Sequence, residues 1–130
     1  RILFESYFKH FTHAIPRLPA LLPEVWLHWD PKTVRERGKD ALLRFRMDFL
    51  MLLPNGVRVV LEVDGKEHYA GADGEAAPDK YAEMAAADRD LRLLGYDVYR
   101  FGAKELMATG APAMVGDFFE RLFRAHRLSI

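Results

Sequence analysis

The chain has 130 residues and no cysteine, and its 19 lysine and arginine side chains balance 19 acidic ones. The length favours one domain, and half of the residues are hydrophobic, as in globular proteins. This composition excludes disulfides, thiolate zinc sites and a cysteine nucleophile, and no apolar run reaches the roughly 18 residues of a membrane span. We therefore expect a cytoplasmic protein without a membrane partner. Because the chain begins with Arg1, we also expect residues 1–130 to be a domain excised from a longer protein.

The first part of the chain predicts a helix, a strand and a basic segment. In "ILFESYFKHFTHAI" the apolar residues recur at helical spacing, and Pro16 ends the pattern. The aromatic-rich "EVWLHW" favours a short strand. The next stretch, "KTVRERGKDALLRFR", carries two acids and six basic residues, namely Lys32, Arg35, Arg37, Lys39, Arg44 and Arg46. Such an excess is typical of a phosphate-binding edge and also of a solvated loop, and charge alone favours the solvated loop.

The clearest element is a β-hairpin within "ALLRFRMDFLMLLPNGVRVVLEVD", where "PNG" separates two β-type runs and its glycine can take a positive φ. A three-residue loop over 54–56 sets Asp48 opposite Glu62 and Arg46 opposite Asp64, with all four on one face. A two-residue turn would instead set Asp48 against a core valine. We therefore expect the first register, in which the residues on the other face are Met47, Phe49, Leu61 and Val63.

The remaining elements are two helices and a strand. The small, polar stretch "YAGADGEAAP" predicts a flexible loop, and "PDKYAEMAAADRDLRLLGYDV" predicts a helix that begins at Pro78 or Asp79 and stops at Gly95. "YDVYRF" favours a strand. "APAMVGDFFERLFRAHRL" favours a closing amphipathic helix, whose inward residues are Phe118, Phe119, Leu122 and Phe123. The predicted order is α, β, β-hairpin, α, β, α.

The predicted opposition of Asp48 and Glu62 points to specific chemistry. Side chains at such positions have Cβ atoms about 5 Å apart, where like charges repel. A shared proton would relieve the repulsion by raising one pKa. A hard cation would also relieve it, as Mg²⁺ does when it binds one or two carboxylates and a substrate phosphate. The nearby basic excess favours the metal, with Asp64 as a further ligand, Mn²⁺ as a substitute and phosphodiester hydrolysis as the reaction.

Side chains near the acids are candidates for the remaining catalytic roles. The ammonium of Lys66 or of Lys80 is placed to hold water or to stabilise charge on the phosphate. His68 is a candidate proton donor or acceptor, because the unperturbed pKa of histidine lies near neutrality. On spacing alone, Glu5 in the first helix faces solvent. A glycosidase-like carboxylate pair is a competing interpretation, but the sequence shows no aromatic-lined sugar groove.

The order of these motifs resembles the PD-(D/E)xK nuclease superfamily, in particular its very-short-patch-repair-type branch. That family places an acid in the hairpin, then E-x-D-G-x-x-H at the end of the second strand, then G-(W/Y)-x-V-x-R-F. The similarity covers residues 46–101, somewhat under half of the chain. The matching residues are Asp48, Glu62, Asp64, Gly65, His68, Gly95, Tyr96, Val98, Arg100 and Phe101.

The resemblance implies an α/β fold with a restriction-endonuclease-like core, in which a central mixed β-sheet with a β-hairpin is flanked by α-helices. It implies a Mg²⁺-dependent DNA endonuclease with Asp48 and Glu62 as metal ligands and Glu5 as the acid of the leading helix. Asp64 stands where most of the superfamily has a lysine, so Lys66 or Lys80 would substitute. The helix and strand that follow offer further nucleic-acid-binding candidates, which are Arg89, Arg92 and Arg100.

The biological setting inferred for such a nuclease is bacterial defence or repair. An unrestrained nuclease would be toxic, so we expect a regulatory or targeting domain or protein outside this chain, and a homodimer is left open. The competing hypothesis is a non-catalytic nucleic-acid-binding module on the same scaffold. Retention of the three acids in the hairpin argues against it, because a site without function has no reason to keep repelling charges.

Overall fold

A computed structural model describes residues 1–26, 46–65 and 77–130 of the chain. The chain is a mixed α/β protein, as predicted. The elements are α1 (Ile2–His10), a 3-10 helix (Thr12–Arg17), β1 (Ala20–Trp26), β2 (Arg46–Leu52), a 3-10 turn (Pro54–Gly56), β3 (Arg58–Asp64), α2 (Pro78–Leu93), β4 (Tyr96–Gly102), α3 (Ala103–Leu106) and α4 (Ala111–Ala125). Among these residues no helix combines the length and the apolar character needed to cross a membrane.

The described chain divides into two compact units. The helical unit consists of Arg1–Pro19 and Gly102–Ile130, and the sheet unit is Ala20–Phe101. The helical unit contains α1, α3 and α4, whereas the sheet unit contains the strands and α2. The single domain expected over residues 1–130 stays a prediction.

The sheet unit is built on a sheet whose described strands follow the order β1-β2-β3-β4. β1 pairs antiparallel with β2, and β2 pairs antiparallel with β3. β4 follows β3 through the helix α2, and such a crossover returns the chain parallel to the strand it left, which makes the sheet mixed. The hairpin predicted from the residues and the mixed sheet implied by the resemblance are confirmed.

Over residues 49–52 and 58–61 the hairpin has the predicted register. Phe49 pairs with Leu61, and the Leu53 amide donates to the Val57 carbonyl over 2.9 Å, so the loop is the three-residue one. Gly56 has a φ of 74°, as expected, and Asn55 also has a positive φ, at 64°. Asparagine and glycine are the residues that adopt this backbone conformation most readily, which explains why the "PNG" turn determines the pairing.

α2 contributes Leu91 to a buried cluster of the sheet unit. The other members are strand residues, Met47, Val60, Tyr96 and Val98. α2 begins at Pro78 and is followed by Gly95, which has a φ of 88° and donates its amide to the Arg92 carbonyl over 3.0 Å. Both predicted ends of this helix are confirmed, because proline suits the first turn and glycine suits the left-handed residue after the last one.

The helical unit is held together by aromatic rings of α1, of Phe11 just after it, and of α4. The Tyr7 and Phe119 ring centroids lie 4.5 Å apart, and those of Phe11 and Phe123 lie 5.4 Å apart. The Tyr7 hydroxyl donates to the Pro19 carbonyl over 2.9 Å, and burial raises the pKa of this phenol, which therefore stays protonated. Of the inward residues predicted for α4, three are buried and Phe118 is only partly buried.

The first helix is shorter than predicted. α1 ends at His10, and a 3-10 helix that includes Pro16 replaces the expected last turn. The reason is local: the Thr12 hydroxyl donates to the carbonyls of Phe8 and Lys9, over 3.2 and 2.8 Å. A threonine that binds the preceding turn competes with continuation of the α-helix, and the backbone tightens into 3-10 geometry.

Gly116 in α4 gives a stability prediction. A Cβ added there would collide with the His10 imidazole, whose Nε2 lies 2.8 Å from Glu120 Oε1. We expect Gly116→Ala to lower the free energy of unfolding by about 1–2 kcal/mol in urea unfolding, because overpacking outweighs the better helix propensity of alanine. In a His10→Ala background the sign should reverse, to a gain of about 1 kcal/mol. A loss of equal size in both backgrounds would contradict the collision.

Candidate active site

The acid pair of Asp48 and Glu62 lies on neighbouring strands of the hairpin. Because Phe49 pairs with Leu61, the next residues outward are Asp48 on β2 and Glu62 on β3. Asp48 Oδ2 accepts a hydrogen bond from the Val63 amide over 2.8 Å, so this carboxylate reaches across to the backbone beside Glu62. The structure therefore brings together the two acids that the sequence register predicted to face each other.

Glu62 has an unusual protonation behaviour. Burial raises the pKa of the Glu62 carboxyl to about 8, and the charge of Asp48 adds to the rise, whereas the charge of Arg100 opposes it. Two acids that neighbour each other in a half-buried place resist double ionisation. The acid pair therefore favours either a proton on Glu62 or a cation nearby.

A second group of charges, the Arg100 network of Asp64, Asp88 and Arg100, adjoins the acid pair. Arg100 on β4 binds Asp88 on α2 with two parallel hydrogen bonds, Nε to Oδ2 over 2.7 Å and Nη2 to Oδ1 over 2.6 Å. Its Nη1 donates to Asp64 Oδ1 over 2.5 Å. Burial disfavours the charged guanidinium, but the bonds to Asp88 and the charge of Asp64 outweigh it, so the pKa of Arg100 is raised. The three side chains are each less than a quarter exposed, which strengthens the ion pairs.

Asp88 is the functional candidate that the sequence interpretation missed. It lies one turn before Leu91, which is buried in the core of the sheet unit. Positions three apart share a helix face, so Asp88 points the same way as a core leucine. A charged side chain in such a position needs a partner, and this requirement is the signal in the sequence that would have identified it.

The arginines predicted to bind nucleic acid have different surroundings. Arg100 directs its fork to Asp88, so it does not present that fork to a phosphate. Arg92 Nη2 lies 3.4 Å from the Val98 carbonyl, and Arg89 is exposed on α2. Arg46 is exposed and its guanidinium stands 5.9 Å from the centre of the Trp26 ring, opposite it on β1. Of these four arginines, Arg89 and Arg46 are therefore the best placed to bind a phosphate from solvent.

Two of the remaining predicted residues, Glu5 and Lys80, are exposed. Glu5 belongs to the helical unit, is exposed, and pairs with Arg1 over 2.8 Å. Lys80 is exposed in the first turn of α2. Six further candidates lie outside the described residues, and their predicted roles stay predictions: Arg35, Arg37, Lys39, Arg44, Lys66 and His68.

The predicted metal ligands divide into two groups. Over residues 1–26, 46–65 and 77–130, no three histidine, aspartate or glutamate side chains are arranged to hold a metal ion. The acid pair by itself offers two carboxylates, which fits Mg²⁺ because this ion commonly takes one or two protein carboxylates and completes its shell with water and phosphate. The third predicted ligand, Asp64, accepts a hydrogen bond from Arg100, and its role as a metal ligand stays a prediction.

Comparison of the chain with known protein families, with curated proteins and with solved structures gives no match. The resemblance to PD-(D/E)xK nucleases therefore stays a prediction from the sequence motifs.

Proposed function

We propose that the chain is a Mg²⁺-dependent nuclease that hydrolyses phosphodiester bonds, most simply a DNA endonuclease with a restriction-endonuclease-like core. The observation that carries the proposal is the acid pair. Burial and the charge of Asp48 raise the pKa of Glu62 to about 8, so a cation beside the pair would favour ionisation of the Glu62 carboxyl near neutral pH. Mg²⁺ is such a cation, because it binds carboxylate oxygens and commonly completes its coordination shell with water and a substrate phosphate.

The residues that would hold the metal are Asp48 and Glu62. When bound, Mg²⁺ polarises the scissile phosphate and lowers the pKa of a bound water. Asp48 is oriented for this role by the hydrogen bond from the Val63 amide, over 2.8 Å. Lys66, Lys80 and His68 remain the candidates for holding the water or moving its proton.

The nucleic acid would be bound by exposed cations on the sheet unit. Arg46 begins β2 two residues before Asp48, and side chains two apart on a strand share a face. Arg89 is exposed on α2, the helix that also carries Asp88. Phosphate contacts of this kind do not distinguish sequences and weaken with salt. We further propose that a partner domain or protein restrains or targets the activity in the cytoplasm.

The test is a cleavage assay with purified protein on supercoiled plasmid, linear duplex, single-stranded DNA and RNA. Each substrate is incubated with Mg²⁺, Mn²⁺ or EDTA, with Asp48→Ala and Glu62→Ala tested beside the wild type. We expect cleavage with either metal, none in EDTA, and loss of cleavage in both variants. Equal behaviour of the three proteins in every metal condition would refute the proposal.

The second candidate function is nucleic-acid binding without catalysis, and the contact between Asp64 and Arg100 favours it. In this ion pair Asp64 Oδ1 accepts a hydrogen bond from Arg100 Nη1, and that contact competes with metal binding by Asp64. A salt-dependent shift in gel mobility that persists in EDTA, without cleavage in any metal, would support this candidate over the nuclease.

A further inference from the structure

The Arg100 network joins three elements of the sheet unit around the acid pair. Asp64 is the last residue of β3, Arg100 lies near the end of β4, and Asp88 lies on α2. Their side chains are only 15% to 23% exposed, and their three hydrogen bonds span 2.5 to 2.7 Å. Such short, charge-assisted hydrogen bonds fix the relative orientation of the three side chains and also balance their charges.

We propose that Asp88 and Arg100 are positioning residues, which fix the end of β3 and thereby the direction in which Glu62 presents its carboxylate. The inference rests on the proposed function, because it assigns these residues to the same metal site. Neither residue touches the metal or the nucleic acid in this role. Asp88 aligns the guanidinium, and the guanidinium holds Asp64.

The geometry of the network supports this order of action. Asp88 occupies both nitrogens of one edge of the guanidinium, so the group cannot rotate while that pair is intact. The remaining nitrogen, Nη1, is then directed at Asp64. Glu62 and Asp64 are two residues apart and so lie on the same face of β3. An anchor at Asp64 therefore restricts the strand segment from which Glu62 projects.

Alternative roles for Arg100 fit the contacts less well. An arginine that clamps phosphate presents two parallel donors to it, and Arg100 presents that edge to Asp88. If Arg100 only balanced charge, lysine would serve equally well, because it carries the same single positive charge. Lysine lacks the planar guanidinium that donates two parallel hydrogen bonds. The geometric role and the charge role therefore predict different results for Arg100→Lys.

The experiment measures Mn²⁺ binding by electron paramagnetic resonance, without nucleic acid, at one pH and ionic strength. The variants are Asp88→Asn and Arg100→Lys, and the matched control is Asp90→Asn, an exposed acid on the same helix. Outer residues that orient metal ligands typically change metal affinity 10- to 100-fold. We expect a loss of about that size in both variants and no change in the control. Each protein is assayed well below its own Tm, so that unfolding does not imitate the effect.

Each outcome of this experiment decides the inference. Wild-type affinity in Arg100→Lys would overturn it, since charge alone would then suffice, and equal losses in Asp88→Asn and Asp90→Asn would overturn it as well. If Asp88→Asn fails to fold, Arg100→Lys decides. If the wild type binds Mn²⁺ but cleaves no substrate, the proposed nuclease activity is refuted. The Mn²⁺ affinities of the variants then still test the positioning role. Wild type that binds no Mn²⁺ would overturn both.

Discussion

Glu62→Gln is expected to make the protein more stable above pH 8 and far less active as a nuclease. In the folded chain, burial and the charge of Asp48 raise the pKa of Glu62 from its ordinary value of 4.5 to about 8. Between these two values the folded state holds a proton that the unfolded state has released. The free energy of unfolding therefore decreases as the pH rises through this range and levels off above pH 8. Glutamine avoids that loss because it has no charge to bury.

The size of this stability gain follows from the shift in pKa. At about 1.4 kcal/mol for each unit, the rise from 4.5 to about 8 sets an upper limit of about 5 kcal/mol. Glu62 keeps partial contact with solvent, which screens the effect, so we expect about 2–3 kcal/mol at pH 9 and little difference at pH 5. Urea unfolding at pH 5, 7 and 9 measures it. Glu83→Gln, at an exposed position on α2, is the matched control, and a pH-independent difference for Glu62→Gln would contradict the expectation.

The loss of activity has a separate cause. Glutamine removes one of the two carboxylates proposed to hold Mg²⁺, and a catalytic metal stabilises the transition state by several kcal/mol. Because 1.36 kcal/mol is a factor of ten in rate, we expect single-turnover cleavage to slow by at least about a hundredfold. Asp48→Asn should show a comparable loss, whereas Asp90→Asn should not. If Glu62→Gln were more stable and fully active, the acid pair would not be needed for catalysis.

Arg100→Gln is expected to lower the free energy of unfolding by about 2–3 kcal/mol at pH 7, because it leaves two mostly buried carboxylates without their partner. Arg100 is also the cation that opposes the raised pKa of Glu62, so its removal increases the repulsion among the acids. Urea unfolding measures the loss, and Arg89→Gln, exposed on α2, provides the control with an expected change within about 0.5 kcal/mol.

A double-mutant cycle identifies the source of that loss. Adding Asp88→Asn to Arg100→Gln removes a carboxylate that the first change left unpaired, so the combined loss should be smaller than the sum of the two separate losses. Strict additivity would mean that Asp88 and Arg100 stabilise the protein independently. That result would conflict with the two hydrogen bonds between them.

Local signals in the sequence predicted the parts of the fold that local chemistry decides. The "PNG" turn set the hairpin register, and through it the meeting of Asp48 with Glu62, because Asn55 and Gly56 accept a positive φ. Gly95 likewise marked the end of α2. The error in α1 was also local, since the side chain of Thr12 binds the preceding turn, and a pattern of apolar spacing does not register such a bond.

Local signals in the sequence do not determine the contacts of the Arg100 network. Arg100 meets Asp88 from 12 positions away and Asp64 from 36 positions away, so the contacts depend on how α2 packs on the sheet. The sequence motif therefore identified Arg100 as a notable residue but assigned it to phosphate. In the folded chain Arg100 binds the carboxylate of Asp88, because the packing of α2 on the sheet brings the two side chains together.

The hydrogen bond from the Val63 amide to Asp48 makes this backbone group a natural reporter. An amide proton that points at a carboxylate changes its chemical shift when that carboxylate gains a proton or coordinates an ion. In an amide NMR spectrum the Val63 resonance thus records the state of the acid pair without any attached label. Titration with acid and titration with a divalent ion can then be followed at the same atom, which separates protonation of the site from its occupation.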